Sequence, residues 1–169
     1  EIEKLARHGR HDAVVFPRPM LNQKNYSFSF SGLKTAVLYY LRDHAEDFSR
    51  EDVAASFERA AFDVLAGKTA RAALEYRARS VLLSGGVAAN TSLRKAMRVA
   101  LSSLPGAPKL IVTPKRFCTD NAAIIANITG RNEFRRVRID TIGLDSSGEA
   151  ERLLEQLSEQ NHGQYHKLL

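Results

Sequence analysis

The sequence predicts an α/β protein with helices packed on a sheet. Three observations lead there. Ser80-Val81-Leu82-Leu83 is an apolar run short enough for a buried strand, and it turns at Gly85-Gly86 into a helical pattern. Leu110-Ile111-Val112 is a second such run, closed by Pro114 and followed by a polar turn and the apolar stretch Ala122–Ile128. The resulting strand–turn–helix rhythm repeats between Ser80 and Gly130, which is the pattern of layered α/β folds.

The elements follow in order. Residues 1–8 read as the middle of a helix, with Ile2 and Leu5 on one side. The chain starts at Glu1, and the expectation is a fragment of something longer. Phe16-Pro17-Arg18-Pro19-Met20 is held extended by its two prolines. Tyr26-Ser27-Phe28-Ser29-Phe30 alternates aromatic and small polar residues, which predicts a half-buried strand. Ser31 is placed to cap a helix from Leu33 to about His44, with Leu33, Val37, Tyr40 and Leu41 as its apolar stripe. Lys34 and Thr35 fall in that first turn. Ser49 to Tyr76 is the longest helical region, capped by Ser49, with Glu51 and Asp52 favourable in its first turn. Gly67 is expected to kink or divide it. After Gly85-Gly86 a helix with Val87, Leu93 and Met97 on one face runs to about Leu104. From Arg131 the rhythm is lost. Gly143–Gly148 reads as loop, Glu149–Gln160 as a polar helix, and Asn161–Leu169 as a frayed end.

Composition sets limits. In 169 residues, 44% are apolar, enough for a core, and 26% are charged. No apolar run approaches the roughly 20 residues of a membrane span, and no signal-peptide pattern is present. Cys118 is the single cysteine, so no internal disulfide can form, which fits a reducing, cytoplasmic setting. The 25 basic residues outnumber 19 acidic ones, giving +6. With a pI of about 9.7, contact with a polyanion such as RNA is permitted. The basic residues are scattered, and many simply solvate helix faces.

Gly85-Gly86 between strand and helix suits a nucleotide. Glycine reaches positive φ and has no Cβ to keep a ligand away. The first-turn N–H groups of the following helix favour an anion. Asn90, expected in that first turn, has an amide able to donate and accept toward an adenosine edge or a ribose. The same pattern also serves as a plain tight connection. Asp120 has two readings as well: an N-cap for the helix after it, or a carboxylate at the mouth of the same cleft, open to a cation.

Other candidates are weaker. His162 and His166 are four apart but lie in a glycine-containing tail, and His8 and His11 straddle Gly9-Arg10 at a helix end. Neither pair is assigned a metal. Cys118 reads as a small buried residue, since no histidine stands near it in sequence.

Four stretches together resemble one family: Phe16-Pro17-Arg18-Pro19-Met20, Phe28-Ser29-Phe30-Ser31-Gly32-Leu33-Lys34-Thr35, Ser84-Gly85-Gly86-Val87-Ala88-Ala89-Asn90, and Phe117-Cys118-Thr119-Asp120-Asn121-Ala122-Ala123. They are similar to the C-terminal half of the bacterial TsaD family, the tRNA N6-adenosine threonylcarbamoyltransferases, formerly called O-sialoglycoprotein endopeptidases or glycoproteases. The resemblance spans residues 16–123 and implies the C-terminal lobe of an actin-like, sugar-kinase-like (ASKHA, ribonuclease H-like) fold. Residues 1–145 would be that lobe, and 146–169 a polar C-terminal helix and tail. It further implies transfer of threonylcarbamoyl from threonylcarbamoyl-AMP to N6 of adenosine 37 in tRNAs reading ANN codons, with TsaB- and TsaE-like partner proteins. An iron or zinc ion would be held by two histidines of an H-x-x-x-H motif and one aspartate, which corresponds to Asp120. Asn90, Gly85 and Gly86 would take the nucleotide. The histidine motif and the first lobe's phosphate loops have no counterpart here, so the fragment alone is expected to be inactive, and no catalytic base is assigned.

Two other classes compete. One is the nucleotide-binding lobe of another actin-like ATPase or sugar kinase, which need not carry Phe-Ser-Gly-Leu-Lys-Thr or Cys-Thr-Asp-Asn. The other is a non-catalytic RNA-binding module, supported by the basic pI alone.

Overall fold

The structure, a computed structural model, describes residues 1–112, 141–144, 149–160 and 165–168. The chain forms two compact units. The first comprises Glu1–Gln23 and Phe28–Thr69; the second comprises Lys24–Ser27 and the described residues from Ala70 onward. The α/β expectation holds among these residues.

The first unit is helical. It contains α1 (Ile2–Ala6), α2 (Ser31–Asp43) and most of α3 (Arg50–Glu75). The α3 helix starts where its sequence says, because the Ser49 hydroxyl accepts the Asp52 N–H at 3.1 Å. Its alanines favour helix and let neighbours approach closely. Val53, Ala55, Ala60, Phe62, Val64 and Ala66 are all buried, on every side of the axis. A helix buried on opposite faces at once is a central one, and no single apolar stripe marks it. Ala6 packs with Ala54 and Ala55.

Polar contacts fasten the following segment to α3. Arg10 donates its backbone N–H to Asp52 Oδ1 at 2.8 Å, and its Nε and Nη2 to Oδ2 at 3.1 and 2.8 Å. This fork holds the Asp52 carboxyl below its usual range. Ser56, 1% exposed, accepts the Val14 N–H and donates to the Arg10 carbonyl. Arg18 Nη2 reaches Asp63 Oδ2 at 3.0 Å, while buried Phe16 meets Tyr40 edge to face at 5.8 Å between centroids.

Three expectations about this part are corrected. Tyr26–Phe30 is not a strand. Alternation reports only which side each residue faces, and indeed Phe28 and Phe30 stack, with centroids 6.3 Å apart. A strand also needs a strand paired beside it, and among the described residues none pairs with this segment. The second correction is at α2, which begins at Ser31 with Phe30 in the cap position. The Lys34 N–H reaches the Phe30 carbonyl at 2.8 Å, closing the first turn one residue earlier than a Ser31 cap allows. Third, α3 runs unbroken through Gly67. There the missing side chain makes room for Leu21, whose Cδ1 would lie 2.9 Å from an added Cβ.

The second unit is built from two β-α-β pieces. In one, β1 (Ser80–Leu83) and β2 (Lys109–Val112) pair in parallel, Ser80 opposite Lys109 and Leu83 opposite Val112. The α4 helix (Thr91–Ser102) connects them and packs on β2. In the other, β3 (Thr141–Leu144) and β4 (Tyr165–Leu168) pair in parallel across α5 (Glu149–Gln160). Of this second piece the sequence predicts only α5. Gly143, expected in a loop, pairs with Lys167, and the tail expected to fray supplies β4. Each strand is four residues long and carries a glycine or charged residues, so neither gives an alternation signal of its own; pairing makes them strands.

In the same unit the Tyr26 hydroxyl donates to Glu75, and the Arg71 guanidinium lies 5.2 Å from the Tyr26 ring centroid. Burial, then the hydrogen bond to Glu75, pushes the Tyr26 phenol up to about 12. Among the described residues no helix is long and apolar enough to cross a membrane.

Candidate functional site

The site expected at Gly85-Gly86 follows directly on the carboxyl end of β1, where ligands of parallel sheets collect. Gly85 has φ 89° and ψ 172°. That region is costly for any residue with a Cβ. Among the described residues, an added Cβ at Gly85 or at Gly86 would meet nothing within 4 Å, so packing against them does not demand these glycines. Backbone conformation demands the first, and together they leave the turn open to a ligand.

Beyond Gly85 the chain does not enter the α-helix at once. Gly86–Ala89 forms a turn of 3₁₀ helix, closed by the Ala88 N–H on the Gly85 carbonyl at 3.0 Å. Val87, expected on the buried face, is 62% exposed as a result. The apolar face of α4 is Leu93, Met97 and Leu101, spaced at i, i+4 and i+8 and all buried.

Asn90 stands one residue before the position expected of it. It is extended, φ −67° and ψ 127°, and is the N-cap of α4. Its Oδ1 accepts the Leu93 N–H at 3.0 Å. The first-turn N–H groups of a helix lack partners inside it, and this bond satisfies one of them. Asn90 is thus a structural cap whatever else it does. The structure brings Gly85, Gly86 and Asn90 together in one strand-to-helix turn.

Arg94 reads in the sequence only as a basic helix residue. The structure gives it another task. Its Nε donates to the Ala88 carbonyl at 2.6 Å, tying α4 back onto the 3₁₀ turn. Its Nη2 is buried without a hydrogen-bond partner among the described residues. Nothing in the sequence separates Arg94 from Lys95 or Arg98, because the difference lies in which way the turn faces.

The remaining candidates divide. Asp120, Cys118 and His162 lie outside the described residues, and His166 is described only as a backbone position of β4, opposite Ile142. His8 is exposed, while His11 Nδ1 lies 3.3 Å from the Ala55 carbonyl. Among the described residues no group of three or more His, Cys, Asp or Glu is placed to hold a metal ion. Lys34 is exposed in the first turn of α2.

Comparison with known proteins bears on all of this. The family model described as "TsaD: tRNA N6-adenosine threonylcarbamoyltransferase" matches residues 1–127. A protein of that name from Moorella thermoacetica is 51% identical over 128 residues, covering 74% of this chain and 37% of its own. One from Thermosipho africanus is 47% identical over 127 residues, 75% of this chain and 38% of its own. One from Bacillus subtilis is 46% identical over 129 residues, 75% of this chain and 37% of its own. The chain thus spans under two fifths of the length of these curated relatives.

Proposed function

Because the chain belongs to the TsaD family of tRNA N6-adenosine threonylcarbamoyltransferases, we propose that it forms the C-terminal half of such an enzyme. The whole protein would transfer threonylcarbamoyl from threonylcarbamoyl-AMP to N6 of adenosine 37 in tRNAs reading ANN codons. Residues 1–145 would belong to the C-terminal lobe of an actin-like fold. The expected setting is the cytoplasm, with TsaB- and TsaE-like partners.

One observation carries the reading beyond family membership. A glycine at positive φ, approached within 4 Å of its absent Cβ by none of the described residues, sits at the carboxyl end of a parallel strand, followed by a capped helix. Gly85 and Gly86 would let the adenylate lie against the backbone. The N-terminal end of α4 would favour its phosphate. The Asn90 carboxamide, anchored through Oδ1 on the Leu93 N–H, would contact the adenosine. Arg94 would hold the turn in shape through the Ala88 carbonyl. The attack itself joins the adenosine N6 to the carbamoyl carbon and releases AMP.

An iron or zinc ion belongs to the proposal, with Asp120 as its ligand from this chain. When bound it would polarise carbamoyl or phosphate oxygens. The described residues do not make up such a site, and no step is routed through it.

The test is made on the full-length protein with threonylcarbamoyl-AMP, tRNA and its partner proteins. Modified adenosine should appear in digested tRNA. Gly86→Val, which fills the open space with a branched side chain, should abolish it while leaving the melting temperature unchanged. Residues 1–169 alone should give no modification. Full transfer by the Gly86→Val protein would remove the turn from the site.

A further inference from the structure

A second cavity lies at the other end of the same strand pair. It measures about 300 Å³ and is lined on its apolar side by Ala73, Leu74, Leu104, Pro105 and Pro108 and on its charged side by Arg77 and Arg79. It stands where α3 ends and β1 and β2 begin. The Lys109 N–H bonds the Arg79 carbonyl at 3.0 Å and fixes the two strand starts together.

Arg77 occupies an unusual backbone position. Its φ is 50°. The Ala78 N–H reaches the Ala73 carbonyl at 2.8 Å and the Arg77 N–H reaches the Leu74 carbonyl at 3.2 Å. This is the closing motif of a helix whose left-handed position is ordinarily glycine. Arginine there is disfavoured by its Cβ. A favourable charge at the helix's carboxyl end explains part of its presence. It does not explain Arg79, which lies beyond the helix and lines the same cavity. Both side chains are exposed, and neither is in any of the ion pairs among the described residues.

We propose that this cavity seats the ribose–phosphate backbone of RNA, with Arg77 and Arg79 on the phosphates and the Leu74–Pro105–Pro108 wall against the sugars. The chemistry is specific to that class. Guanidinium forks match phosphate oxygens in pairs, and an apolar wall beside two cations that make no ion pair among the described residues suits a chain of alternating sugar and anion better than a free anion or a carboxylate helix. Leu74, 51% exposed, supplies surface for such a wall. The site is separated from the Gly85 turn by the length of β1, so it contributes position and affinity, not base choice. The inference rests on the tRNA reading above and extends it to a surface away from the nucleotide.

The test is the salt dependence of tRNA binding by the full chain, unaltered and as Arg77→Gly with Arg79→Gln. Glycine is chosen because it removes the charge while relieving the left-handed backbone, so the variant should melt no lower than the parent. The slope of log affinity against log salt should fall in magnitude by about 0.7–0.9 for each phosphate no longer neutralised, or roughly 1.5 for the pair. Should the double variant melt early, Arg79→Gln alone reads half that change. An unchanged slope overturns the proposal while leaving the transferase reading intact. Loss of an acidic protein partner with an unchanged tRNA slope overturns it too, assigning the cavity to that protein. An unaltered chain that binds threonylcarbamoyl-AMP but no tRNA overturns it together with the tRNA part of the function.

Discussion

At Gly9 an added Cβ would lie 1.9 Å from the Glu51 carbonyl oxygen, whereas at Gly85 it would meet none of the described residues within 4 Å. Both are invisible as side chains, yet they do different jobs. Gly9 lets the chain after α1 pass directly over the first turn of α3, where Arg10 then forks onto Asp52. Gly85 is at φ 89°, and an added Cβ there would touch none of the described residues. A glycine set against backbone is part of the core. A glycine that none of the described residues approaches, where only conformation excludes other residues, leaves room for a ligand. The pair separates a stability position from a binding position more sharply than burial alone does.

The contrast makes graded predictions. Gly9→Ala should have the largest effect on folding, about 3 kcal/mol, since backbone and not a flexible side chain must give way. Denaturant unfolding checks it; a loss below about 1 kcal/mol would mean the segment shifts freely and the contrast is overstated.

Gly85→Ala should lower stability by about 1–2 kcal/mol through its left-handed backbone alone. Gly86→Ala should leave stability within about 0.5 kcal/mol, while both weaken binding of threonylcarbamoyl-AMP in titration calorimetry. Unchanged affinity in both would return the turn to being a connection.

Asn90 sits between the two cases, because its cap is structural and its proposed ligand contact is not. Asn90→Ala should cost about 1 kcal/mol of stability, as caps do. Asn90→Ser keeps a capping oxygen and should recover most of that. If the carboxamide also reads the nucleotide, serine should restore the melting temperature and not the affinity. Recovery of both by serine would leave Asn90 a cap only.

A further effect is confined to alkaline solution and touches neither glycine. The fold raises the Tyr26 phenol from 10.0 to about 12. The folded state therefore keeps a proton that the unfolded chain gives up. Its stabilisation is complete below pH about 10 and is lost as pH rises to about 12. Tyr26→Phe should flatten the unfolding midpoint across that window. A midpoint that still falls equally there would place the alkaline sensitivity elsewhere.

Some of this was legible in the residues because it depends on neighbours in sequence. The α3 cap reads from Ser49 with its acidic first turn, and the strand–Gly-Gly–helix order reads from local apolar runs and glycine's freedom. The extent of α5 reads from its leucine spacing. Motif order over residues 16–123 was enough to reach the family. Tertiary structure decided what depends on distant partners. Whether Tyr26–Phe30 becomes a strand turns on a neighbour to bond with, and β3 and β4 exist only because they pair across α5. Only the folded turn separates Arg94, bonded to Ala88, from the arginines around it, and only the cavity brings Arg77 and Arg79 to one wall. The physical reason is common to all four: hydrogen bonding and desolvation act through space, and a sequence records only which groups are available to take part.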